Sequence, residues 1–128
     1  MSGVLKGPPI QERTFQFSID VVRFCQQLDS KPGIARTLGR QLLRSGTSIG
    51  ANIEEAQAAQ STPDFVNKCS IALKEARETI YSLRLLQATG QGPSAELSLL
   101  IPEADELSRI IGLSWSERRS ASQQVVLG

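Results

Sequence analysis

Histidine is missing from this 128-residue chain. Its absence removes the commonest general base at neutral pH and the imidazole ligand of most transition-metal sites. Cysteine is scarce, with Cys25 and Cys69 alone. The two stand far apart, each on an apolar stripe at helical spacing and without a Cys-x-x-Cys pattern, so buried reduced thiols are expected rather than a disulfide or a ligand pair. Aromatic residues make up 5% of the chain, which leaves few platforms for base stacking. No apolar run approaches the ~20 residues that cross a membrane. The N-terminus, MSGVLKGPPIQER, lacks the apolar core of a signal peptide. A cytoplasmic protein without membrane contact is the expectation. The net charge of +1 lacks the strongly basic balance of a dedicated nucleic-acid binder.

What is present is enough apolar surface, 40% of residues, for one domain with a single core. Residues 1–13, with Gly7-Pro8-Pro9, show no periodicity and read as a flexible arm. A helix is predicted from near Thr14. Phe17, Val21, Phe24 and Leu28 form one stripe along it, and Phe15, Ile19 and Val22 form a second on nearly the opposite side. One bundle core cannot cover both, so the second face is expected to meet another subunit or to be covered by the arm. Ser30-Lys31-Pro32-Gly33 breaks the chain. A second helix follows from about Ile34 to Ala59. Thr62 is the predicted cap of a third helix, with Pro63 at its first position and Asp64 favouring its positive end. That helix runs to about Thr89, and Gly90 stands where a helix commonly ends. Leu97, Leu100, Ile101, Ala104, Leu107, Ile110 and Ile111 mark a fourth. Pro102 predicts a kink in it, or a short helix before the proline and the main one after. Beyond Trp115 the polar run SERRSASQQ reads as a fraying end, with residues 121–128 as a disordered tail. The bundle itself is placed at 14–120.

The most unusual stretch is Arg44 to Ala56, RSGTSIGANIEEA. It lies inside the helical repeat Ile34, Leu38, Leu42, Ser45, Ile49, Asn52, Ala56. Gly46 and Gly50 each cost about 1 kcal/mol relative to alanine inside a helix, so close approach of another backbone is the compensation their spacing predicts. A phosphate-cradling loop would need Gly-Lys-Ser/Thr, whereas Gly50 is followed by Ala51 and Asn52.

With Ser70-Ile71-Ala72-Leu73-Lys74-Glu75-Ala76-Arg77-Glu78-Thr79, this stretch resembles the bacterial four-helix-bundle proteins encoded within intervening sequences of large-subunit ribosomal RNA genes. Members are often labelled ribosomal-protein-like, and the accessory protein of diversity-generating retroelements is a relative. The similarity runs from about Phe15 to Trp115. It implies an all-α, antiparallel, up-down-up-down four-helix bundle that assembles as a ring-like homopentamer. It carries no settled activity. Arg44, Asn52, Glu55, Glu75, Glu78 and Tyr81 match polar positions of the family motif, and such groups can form a hydrogen-bonded set at a helix or subunit interface.

Catalysis finds little support. Glu54, Glu55, Glu75 and Glu78 could suggest a di-metal centre, but Glu75-Ala76-Arg77-Glu78 lacks the histidine of the Glu-x-x-His motif. No catalytic residue, metal, cofactor or small-molecule substrate is expected. The candidate binding residues are Lys31, Arg36, Arg40 and Arg44, a basic row at four-residue spacing, while every charge from Glu96 to Glu106 is acidic. Arginine forks suit phosphate, and a pentamer would repeat the row five times. The first reading is therefore an oligomer that contacts RNA, DNA or a ribonucleoprotein. The second is a structural scaffold for a protein partner, whose arginines are solvated or pair with Glu103, Asp105 and Glu106 of a neighbour.

Overall fold

The computed structural model describes the backbone of residues 7–127 and the side chains of residues 7–114; residues 1–6 of the expected arm and Gly128 of the expected tail lie outside the described residues. Four helices make up the fold: α1 (Ile10–Leu28), α2 (Ile34–Gln57), α3 (Thr62–Ala88) and α4 (Ser94–Leu127). Connections of four or five residues make successive helices antiparallel neighbours. α2 packs most extensively on α3, then α3 on α4 and α1 on α2, and a smaller contact between α1 and α4 closes the four-helix bundle.

The core is the set of stripes already visible in the sequence. Phe17, Val21, Phe24 and Leu28 of α1 meet Leu42, Ile49 and Ile53 of α2, Leu83 and Leu86 of α3, and Leu97, Leu107 and Ile111 of α4. Cys25 and Cys69 are buried, and neither is part of a disulfide. The Cys25 Sγ donates to the Gly39 carbonyl at 3.3 Å, and burial pushes its thiol up to about 11, so it is protonated at neutral pH.

The glycines of α2 lie where α1 comes closest. A Cβ on Gly46 would stand 2.9 Å from Val21 Cγ1, and one on Gly50 would stand 3.3 Å from the Thr14 carbonyl oxygen. Gly39, which the pattern did not single out, faces Leu28 at 3.2 Å in the same sense. These three positions let the two helices approach within the reach of a single carbon, which offsets their poor helix propensity.

Several boundaries differ from the sequence expectation. α1 begins at Ile10, one turn before Thr14, with Arg13 N donating to the Pro9 carbonyl at 3.0 Å. Proline is tolerated at a helix start because its missing N–H has no partner there. The cap of α3 is Ser61, not Thr62: the Ser61 hydroxyl accepts from Asp64 N at 3.2 Å, and Pro63 takes the second helical position. α4 is one continuous helix from Ser94 through Pro102 to Leu127, so it is not divided into a short helix before the proline and a main one after it. Both Pro102 and Ser98, whose carbonyl loses its donor to the proline, are exposed, so water can replace the missing bond. The end of α3 follows expectation. Gly90 has φ +68°, Gln91 N donates to the Leu86 carbonyl at 2.9 Å and Gly90 N to Gln87 at 3.2 Å, a Schellman closure.

Candidate nucleic-acid interface

α2 carries three of the four candidate cations, and its geometry decides how they are displayed. Side chains four residues apart advance by about 40° around a helix. The row therefore winds, starting on the α1 side and ending on the α3 side. Lys31 is exposed in the loop before α2. Arg36 Nε donates to Asp29 Oδ1 at 3.0 Å, and Arg40 Nε stands 3.7 Å from the same oxygen. Arg44 turns the other way: its Nη1 donates to Glu75 Oε1 at 3.2 Å and its Nη2 to Glu78 Oε2 at 3.1 Å. Glu75, and then the hydrogen bond with Glu78, raise the Arg44 guanidinium above its ordinary value, so it stays charged. The Arg40 and Arg44 side chains remain 68% and 59% exposed despite these pairs, so both side chains are open to solvent.

The polar positions divide along the α2–α3 contact. Arg44, Glu75 and Glu78 come together. Directly beneath, the buried hydroxyls of Ser45 and Thr79 share a hydrogen bond of 2.9 Å. Tyr81 lines one hollow with Arg44 and Glu78, whereas Asn52 and Glu55 are placed elsewhere. Because α2 and α3 are antiparallel, Glu55, about three turns nearer the connecting loop, meets Lys68 Nζ at 2.9 Å. Asn52 Nδ2 donates one turn back to the Ser48 carbonyl at 2.8 Å. Tyr81 stands exposed on α3.

The acidic stretch of α4 does not reach the row within one chain. Glu103 receives two bonds from Arg13, at 2.7 Å from Nη2 and 3.2 Å from Nε, and Glu106 pairs with Arg109 at 3.2 Å. Arg13 was assigned to the arm from sequence, and no local signal marks its partner ninety residues away. Also overlooked are Lys74, Arg77 and Arg84 of α3, whose three-and-four spacing was legible. Among the described residues no group of three or more histidine, cysteine, aspartate or glutamate side chains is placed to hold a metal ion. None of the described helices is long and apolar enough to cross a membrane.

A second surface lies between α1 and α2. Phe15 is 66% exposed and Val22 and Leu43 are exposed large apolar side chains on the same face. Two open hollows run along it, one of about 290 Å³ beside Phe15, Thr47 and Ala51, the other of about 430 Å³ beside Val22, Gly39 and Leu43. The second stripe of α1 is thus left uncovered by the described chain.

Fold and surface together define an all-α four-helix bundle whose distinctive groups lie on its faces rather than in a central pocket. Residues 9–112 match the model of the 23S rRNA-intervening sequence protein family, and the chain belongs to that family. A crystal structure of a protein of unknown function from the S23 ribosomal protein family of Bacteroides thetaiotaomicron VPI-5482 is similar, at 36% identity. The match covers 80% of this chain and 94% of that one with a TM-score of 0.74. No curated protein matches.

Proposed function

We propose that this protein is a non-catalytic homopentamer that contacts RNA or a ribonucleoprotein through the basic surface beginning at Lys31, Arg36, Arg40 and Arg44. The observation that carries the reading is the exposure of Arg40 and Arg44, whose side chains remain more than half exposed although carboxylates stand beside them. Surface ion pairs are weak and are screened by salt, so a polyanion can displace Asp29, Glu75 or Glu78 from the forks. The family's name, which links it to ribosomal RNA, makes RNA the polyanion of choice. Self-association supports the same reading, because Phe15, Val22 and Leu43 give α1 and α2 an apolar face that a second copy can cover, and each added protomer repeats the arginines.

One observation favours a second reading, a scaffold for a protein partner. Arg36, Arg40 and Arg44 each already face a carboxylate of their own chain, which lowers their net field. The experiment that separates the two is a titration of labelled ribosomal RNA fragments at two salt concentrations, with the wild type and an Arg36→Ala/Arg40→Ala/Arg44→Ala variant whose assembly is checked by sedimentation. Salt-sensitive binding that the still-assembled variant loses supports the RNA reading. Absence of binding by the wild type at low salt leaves the scaffold.

A further inference from the structure

The exposed face of α3 holds a second set of cations. Lys74, Arg77, Tyr81 and Arg84 step by three, four and three residues, so they share one side of the helix, and all four are exposed. Among the described residues none of the three cations lies within ion-pair distance of a carboxylate, unlike the arginines of α2.

Tyr81 stands between two open hollows. One, of about 580 Å³, is lined by Arg44, Arg77 and Glu78; the other, of about 370 Å³, is lined by Arg84. Glu78 is the carboxylate of the first hollow, and it is engaged by Arg44, so Arg77 faces the space uncompensated. Tyr81 is 67% exposed. A lone exposed ring with a guanidinium about one turn to either side is a poor apolar docking patch. It suits a ligand with a flat face and negative charge on both flanks.

We propose that this face of α3 binds single-stranded RNA, with Tyr81 stacking on an unpaired base and Arg77 and Arg84 holding the flanking phosphates, while Lys74 adds a further phosphate contact. The inference rests on the RNA reading above and names the part of the surface that distinguishes single strands. In an A-form duplex the base faces are hidden in the stack and cannot reach Tyr81.

The test is fluorescence anisotropy with the full chain, using a short oligouridylate and a duplex RNA of the same length. Tyr81→Ala is expected to weaken the single strand about tenfold and to leave the duplex unchanged. Tyr81→Phe, which keeps the ring, is expected to bind as the wild type does. Lys74→Ala/Arg77→Ala/Arg84→Ala is expected to lower the salt slope by about 2, at about 0.7 per phosphate contact. All four side chains are exposed, so circular dichroism should stay unchanged in every variant. Wild-type binding that Tyr81→Ala leaves intact overturns this inference and leaves the RNA reading standing. No binding by the wild type at low salt overturns both.

Discussion

Single residues decide how closely α1 and α2 approach. A methyl on Gly46 would meet the branched Val21 side chain at 2.9 and 3.1 Å, and a β-branched side chain has little freedom to turn away. Overpacking costs about 1–3 kcal/mol and the gain in helix propensity returns about 1, so Gly46→Ala should be net destabilising in urea unfolding. Cys25 is a second such residue. Burial, with a further contribution from Asp29, raises its thiol from an ordinary 9.0 to about 11. In the unfolded chain the thiol therefore ionises first. Its contribution to stability is complete below pH 9 and declines as pH rises toward 11. The urea midpoint of the wild type should accordingly fall more between about pH 8 and about pH 10.5 than that of Cys25→Ala.

At the scale of elements, the least extensive contact is the one between α1 and α4, and a two-bonded ion pair fastens it. The Arg13 side chain is only 17% exposed, so removing its carboxylate leaves a cation short of solvent. Glu103→Gln should cost about 1–2 kcal/mol, and hydrogen exchange should report it first in the opening turn of α1. That turn also marks the limit of what the sequence made legible. Helical periodicity and turn chemistry located all four helices, and the core stripes came with them. The turn Ile10–Arg13 carries little apolar signal and is tied to α4 by a bond no local window contains. The glycine pair was legible as close packing because nothing else offsets its helix cost. The candidate surface was legible only in part: four-residue spacing suggested one stripe of arginines, but the advance of about 40° per step sends Arg36 and Arg40 toward Asp29 and Arg44 toward α3. Asn52, Glu55 and Tyr81 could all be grouped with Arg44 by motif; antiparallel register separates Asn52 and Glu55 from it but keeps Tyr81 on the same hollow.

At the scale of the whole molecule, charge and apolar surface overlap at one end of the α1–α2 face and separate at the other. Val22 and Leu43 share a hollow with Arg36 and Arg40, whereas the hollow beside Phe15 is lined by no arginine or lysine. Phe15 is the most exposed apolar side chain of that face and the one the proposed assembly would cover, while Arg44, Arg77 and Arg84 lie along α2 and α3. Fully burying a phenylalanine is worth about 1.5–3 kcal/mol, so Phe15→Glu should dissociate the proposed homopentamer. Sedimentation should then report a mass near the 13.9 kDa of one chain in place of five times that value, with helical content retained. In the proposed function, assembly sets how many phosphates one RNA strand meets. A single protomer's Lys31, Arg36, Arg40 and Arg44, with Lys74, Arg77 and Arg84 of α3, can release counterions from at most seven phosphates, whereas several protomers on one strand release more. The most direct test is the dependence of RNA affinity on salt for the intact wild type. The account predicts that log K falls with log salt more steeply than the slope of about −5 that seven single-strand contacts allow. A slope near zero, or no binding at low salt, would contradict it.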